Sequence, residues 1–561
     1  MTKVAWIKNP NVATGQDHLG VRAPSEFVYS QLIPGITNVT NRARYYTFYP
    51  WLIWAIEQHD GNLKSLPSFE IIRRADCLFT LIGIYHHHVL GRPPDALHDG
   101  LTGSRKLSAV INRFLEDGDP IRISKYATTS DTPDRYFMNR LGGLGQYYLG
   151  PLSDSWILKR NEVDQLVYAI DRGLPLAEAF DPGVDREVFF DVIERDAATL
   201  DDLDNLVSFC PCHLVDALAE REELASFLFS TKDLYASPET ENRHHSLVLI
   251  LDLIKRLQTT DYALPVGADG VFQFLGSVYR GALPDSSPWN LTHERLRRNS
   301  DSWKQYYANE LMGIAVQTLF WAGISKLSEE SVRLADGAAF GEWFADIFLG
   351  KTELSPDTAV SVAIDDSLAD LPDITDWDDG KHEANLIWDI LEHVSGRTEP
   401  EDLEKAVNVA LKLLLALAAR WATEPHDTFN VELPRGYEQS YPINLLSFIR
   451  HSAGNWKEMS VREWVTWLAS MWGVETHLQI ALRKLRYEAL DTFKVIPSES
   501  GLRVVESNGA QTVTDTLRPG FTNPRVRQSV QMLLDTGAIQ LNDGVLSITD
   551  FGEALMGAHI Q

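Results

Sequence analysis

Cysteine is scarce in this chain: Cys77, Cys210 and Cys212 are all that 561 residues hold. Three thiols cannot build a disulfide framework, so a reducing, cytoplasmic setting is expected. The opening MTKVAWIKNP lacks the basic, apolar and small-residue order of a secretory signal, in keeping with that expectation. Long apolar runs are missing too. The most apolar windows, residues 71–90 and 407–421, are interrupted by Asp76 and His86 to His88 in the first and by Lys412 and Arg420 in the second. Neither makes an uncharged span, and no membrane partner is expected. Basic residues are outnumbered, 51 Lys and Arg against 78 Asp and Glu, for a net charge of −27. That balance excludes a protein that coats nucleic acid by bulk attraction. Motifs with known chemistry are absent as well. There is no Walker A loop, zinc-protease helix, nucleophile elbow or kinase set, so no catalytic residue and no cofactor is indicated.

What remains is ordinary globular material, 44% hydrophobic and 23% charged, in a chain too long for one core. Charge is unevenly spread: residues 1–150 carry +3, residues 477–561 carry −1, and the stretch between carries −29. Any polyanion is therefore expected at the ends. Helical periodicity dominates from residue 161 onward. It predicts helices over 162–171, 185–193, 214–229, 246–257, 273–279, 303–327, 401–421 and 459–472. Within 303–327, Trp303, Tyr307, Leu311, Ile314, Thr318 and Trp321 recur at steps of four and three, as a buried stripe does. Earlier in the chain, 71–90 reads as a central helix, 106–115 as an amphipathic one and 121–126 as a strand. Residues 363–382 hold seven aspartates and read as an acidic linker or loop.

The expected fold class is mainly α: a multidomain helical protein with a small C-terminal α/β module. The divisions are an aromatic- and Gly-rich domain over 1–160, an acidic helical body over 161–360, the acidic segment 361–383, a second helical unit over 384–476, and the module over 477–561.

Two stretches concentrate candidate site residues. Residues 34–54, PGITNVTNRARYYTFYPWLIW, follow a Pro-Gly turn with cap-type residues and then place Arg42 and Arg44 beside Tyr45, Tyr46, Tyr49 and Trp51. Guanidinium forks can hold phosphates and rings can stack bases, and the same residue types anchor protein interfaces. The plainer alternative is that the rings are core and the arginines pair with carboxylates. The glycines of YFMNRLGGLGQYYLGPL, Gly142, Gly143 and Gly145, fit no phosphate loop and are expected to allow a tight turn or close packing.

Near the C-terminus, residues 493–506 read as two strands about a turn, 525–534 as a helix, and 538–548 as a hairpin about Asp543-Gly544 with a last helix after Thr549. The run VRQSVQMLLDTGAIQLNDGVLSITDFGEALM resembles the second half of a bacterial winged-helix domain through Leu533, Leu534, Gly537, Ile539, Ile548, Thr549, Gly552 and Leu555. It departs from that family where a proline-containing, strand-like stretch stands in place of two preceding helices. The resemblance implies nucleic-acid contact through Arg525 and Arg527 on the helix, with Arg483, Lys484 and Arg486 meeting backbone phosphate, or else a protein-docking use of the same fold.

Cys210-Pro-Cys212-His213 is a tighter cysteine pair than a usual zinc knuckle, and nothing in the sequence brings His86 to His88 near it, so no metal is expected. Asp376, Asp378 and Asp379, with Arg243, His244 and His245, could be drawn as a nuclease site, although acidic loop residues are usually only solvated. The expected role is a non-enzymatic scaffold or sensor subunit of a multi-protein assembly, of DNA-handling or phage-defence style, with other protein subunits as partners and DNA as a second partner class. The rival expectation is a nuclease or nucleotide-processing enzyme.

Overall fold

The computed structural model describes residues 17–59, 63, 66–90, 100–330, 332–395, 399–423, 431–434, 436–485, 492–505 and 512–557. Helix accounts for 63% and strand for 6%, so the chain is mainly α, as its periodicity predicts. Two compact units form. One joins Gln31–Phe274 to Asn523–Gln561, and the other joins Met1–Ser30 to Leu275–Thr522. The first is called the aromatic unit below and the second the long-helix unit. This division runs through the segment read as a C-terminal module, since residues 477–522 fall in one unit and 523–561 in the other.

In the aromatic unit the helix Tyr45–Gln58 is continuous through Pro50, which lies inside it. Its buried side runs through Tyr45, Phe48, Trp51 and Leu52. The helix Ser68–Val89 is buried on every side from Ile71 to Tyr85 and carries His86, His87 and His88 in its last turn, where basic groups complement the helix dipole. Pro238–Leu257 starts with a reciprocal cap between Ser237 and Thr240 and a proline in its first turn. Two expectations are corrected here. Residues 121–126 are no strand: Ile121 makes a single bridge to Ala198, and Ile123–Tyr126 is one helical turn. Residues 162–171 are no helix: Leu158–Arg160 pairs antiparallel with Leu166–Tyr168. The cause is local. The Asn161 side chain accepts from the backbone N–H of Val163 and of Gln165, and Asp164 adopts a left-handed φ of 61°, which together close a turn where a helix would have to run.

The helix Val526–Asp535, the hairpin Ile539–Asn542 with Val545–Ile548, and the helix Asp550–Gly557 complete this unit, in the order read from sequence. Gly537 ends the first helix at a φ of 68°, and Asp543 and Gly544, both at positive φ, turn the hairpin.

The long-helix unit is built on Glu294–Glu329, 36 residues long, whose predicted stripe from Trp303 to Trp321 is buried. Burial extends round the helix because Glu383–Val394, Pro400–Thr423 and the wide turn Leu468–Glu475 all pack on it. Of the two readings of the acidic segment, linker or loop, residues 370–382 form a loop within one unit. Residues up to Ala369 belong to the helix Val360–Ala369, and both of its flanks lie in the same unit. The strands Val495–Ser498 and Gly501–Val504 pair about a tight turn as read, with Gly501 at a φ of 104° against the Leu334 carbonyl. No helix among the described residues is long and apolar enough to cross a membrane.

Candidate functional site

The stretch rich in arginine and aromatics is the interior of the aromatic unit. Arg42, Arg44, Tyr45, Tyr46, Tyr49 and Trp51 are all fully buried, so the expected ligand or partner face is corrected to a core. Each polar group there has an internal partner. Arg42 pairs with Asp535 at 3.0 Å, and the Ala43 amide donates to the other oxygen of that carboxylate. Arg44 forks onto Glu220 at 3.1 and 2.9 Å and donates to the carbonyls of Ser208 and Cys210. Thr47 donates to the same Glu220, and Trp51 Nε1 donates to Asp181 at 2.8 Å. Rings of Phe79, Phe180 and Phe189 pack on Phe48, and Arg243 ties down the carbonyls of Pro34, Phe227 and Leu228.

Asp76 is the centre of a second buried network. Its carboxylate accepts from Tyr49 Oη at 2.6 Å, Tyr136 Oη at 2.7 Å, Thr102 Oγ1 at 3.1 Å and the Gly143 amide at 2.9 Å. Burial raises its pKa above the ordinary carboxylate value, and these four donors pull against that rise. The glycine run follows from this network. A Cβ on Gly142 would stand 2.1 Å from the Tyr136 hydroxyl, and one on Gly143 2.6 Å from Thr102. The glycines let the backbone approach a carboxylate, which is the close packing expected of them.

The residues assigned to nucleic-acid contact are spread through both units. Lys484 is buried and donates to the Asp17 carbonyl. Arg483 donates to the Ser440 carbonyl and lies over the Tyr441 ring at 5.0 Å, and Arg486 lies outside the described residues. Arg525 is half-buried and donates to the Ile33 carbonyl at 3.3 Å. Arg527 alone is exposed on its helix: of Val526–Asp535 every other residue is buried or half-buried. A groove-reading helix needs three or four side chains free to reach base edges, and this one presents a single arginine. Asp376 accepts from the amides of Asp378 and Asp379, and Asp379 from that of Lys381, so the aspartates brace their own turns.

Sequence reasoning missed two features. The first is a cleft of about 570 Å³ within the aromatic unit, between the 158–168 hairpin and the helices Tyr45–Gln58 and Ser68–Val89. Ile53, Ile56, Phe69, Ile72, Leu166 and Val167 line it, with Arg140 and Arg160 at its polar parts. The Arg140 guanidinium lies 4.2 Å over the Phe69 ring. Large apolar side chains stand open on the same hairpin: Trp156 is 65% exposed, Ile170 73% and Val163 71%. Trp156 and Ile170 lie just outside the hairpin base, where the Ala169 amide donates to the Ile157 carbonyl, and Val163 sits at the tip. Reading the segment as a helix hid this arrangement.

The second is a meeting of histidine with cysteine. His86 Nδ1 lies 3.4 Å from Cys212 Sγ, and Cys212 Sγ lies 3.2 Å from Cys210 Sγ. The Cys212 hydrogen bond holds the Cys210 thiol below its ordinary pKa. The sequence separation between His86 and these cysteines gave no signal of it. Compared with protein-family models, curated proteins and solved structures, the chain has no match.

Proposed function

We propose that this chain is a non-enzymatic scaffold or sensor subunit of a multi-protein assembly, and that the cleft beside the 158–168 hairpin receives a partner protein. One observation carries the reading: a cleft whose apolar side is formed by Ile53, Ile56, Phe69, Ile72, Leu166 and Val167 adjoins a hairpin beside which Trp156, Ile170 and Val163 are exposed. Exposed tryptophan beside apolar pockets and a stacked arginine is the usual composition of an interface hot spot. The occupant that fits is an apolar segment of another protein carrying a carboxylate, since exposed Arg140 stands over Phe69 at the cleft and can fork onto it. Arg42 and Arg44, the guanidinium pair expected to hold phosphates, are committed to Asp535 and Glu220.

A photo-crosslinking residue placed at Val163 tests this in the native cell. A discrete crosslinked protein, lost in Arg140→Glu and absent when the crosslinker is placed at Leu368 in the other unit, is the expected result. The companion measurement is anisotropy of labelled duplex and single-stranded DNA over a range of salt. Steeply salt-dependent DNA binding that disappears in Arg527→Glu, together with no crosslinked protein, overturns the docking reading in favour of nucleic acid.

A further inference from the structure

We propose that His86, Cys212 and His213, completed by Cys210, form a structural zinc site in the aromatic unit. Among the described residues, one ligand atom each from His86, Cys212 and His213 lies within 4.8 Å of the others. Cys210 adds a second sulfur 3.2 Å from that of Cys212. Tetrahedral zinc with bonds of about 2.0–2.3 Å sets its ligand atoms roughly 3.3–3.8 Å apart. The observed 3.2 Å between sulfurs and 3.4 Å between Cys212 Sγ and His86 Nδ1 approach that spacing, so an ion would spread the two sulfurs by roughly half an ångström and draw the imidazoles in around it. Two soft thiolates and two imidazoles select zinc over the oxygen-preferring cations.

The surroundings suit an ion. Cys212 and His213 lie in a tight turn, Pro211–Val215, which Cys210 immediately precedes, and the His213 amide donates to the Cys210 carbonyl at 3.0 Å. The same carbonyl accepts from Arg44 at 2.6 Å, fixing the turn to the core. Asp216 stands 3.9 Å from His213 Nδ1, longer than a hydrogen bond, and a small side-chain movement would place it behind that ring as carboxylates stand behind zinc-bound histidines. His86 occupies the last turn of Ser68–Val89, where the helix dipole favours positive charge. The ion would staple the end of this central helix to a turn more than a hundred residues later.

The full chain, purified without chelator or a metal-binding tag, should contain about one zinc per molecule by elemental analysis. After exchange into Co²⁺ it should show the intense visible bands of a tetrahedral site and a near-ultraviolet band from thiolate-to-metal charge transfer. Cys210→Ser should about halve that charge-transfer band, Cys212→Ser and His213→Ala should lower zinc content at least tenfold, and Cys77→Ser should leave it unchanged. Because a ligand variant can simply misfold, the Co²⁺ spectrum of the unaltered chain stands as an independent test. Zinc below a tenth of an equivalent with a weak octahedral cobalt spectrum, or a Cys210–Cys212 disulfide found by mass spectrometry in freshly reduced-state lysates, overturns the proposal.

Discussion

Arg42 and Asp535 stand almost five hundred residues apart in the chain and 3.0 Å apart in the fold, both without solvent. Removing one member of such a pair strands the other charge in low dielectric, which is far worse than never having buried the pair. Asp535→Asn should therefore destabilise the aromatic unit by about 3–5 kcal/mol, read as a fall in its urea midpoint, and Glu220→Gln should do the same through Arg44. Asp76→Asn exchanges an acceptor of four donors for an amide whose nitrogen opposes two of them, and a loss of about 2–4 kcal/mol is expected in the same measurement. If these variants unfold at the midpoint of the unaltered chain, the networks contribute nothing beyond packing. The sequence marked these residues as unusual without saying why. Arginine among aromatics has one signature whether it lines a surface or a core, and the deciding residues, Asp535, Glu220 and Asp76, are single carboxylates among 78 acidic residues.

The 158–168 hairpin shows what a short element can hide. Its apolar residues also satisfy a helical pattern, and only the turn chemistry of Asn161 and Asp164 distinguishes the two readings. Asn161→Ala removes the side-chain oxygen that accepts from the Val163 and Gln165 amides and should cost about 1 kcal/mol. Hydrogen exchange should then rise in the amides of Leu158 to Tyr168 with little change in the Ser68–Val89 helix. Uniform protection in both variants would mean that packing, not the turn, holds the hairpin. The helix Val526–Asp535 is the opposite case. Its boundaries, its glycine stop and the following hairpin were all legible, because caps and turn residues act locally. Its accessible face was not, because the partners that cover Gln528 and Asp535, the Asn38 carbonyl and Arg42, come from the far end of the chain.

Across a whole unit, pH exposes a weakness that no single element shows. In the long-helix unit half-buried His18 lies beside buried His477, with rings 6.1 Å apart. His477 Nδ1 donates to the His18 carbonyl and Nε2 accepts from the Lys494 amide, so the neutral tautomer is the one the fold holds. Burial, together with Lys484 and Lys494 nearby, lowers the pKa of His18 to about 3 and of His477 to about 4. Both values lie below the ordinary 6.5, so the unfolded chain binds protons first. The stability is fully present above about pH 6.5 and is lost as pH falls toward 4, by about 3 kcal/mol for His477. Urea midpoints taken from pH 7.5 to 4.5 should fall for this unit, and His477→Gln should flatten that slope. An unchanged slope would place the acid sensitivity elsewhere.

The sequence by itself determined the class of fold, most helix and hairpin positions outside residues 121–126 and 162–171, and the special character of the glycine run, since periodicity, caps and turn residues act over a few positions. Only the tertiary structure decided which arginines are internal, that the acidic segment belongs to one unit, and that His86 reaches Cys212. Those outcomes depend on pairings between residues tens to hundreds of positions apart, and no local pattern encodes which carboxylate, carbonyl or thiol a side chain will meet.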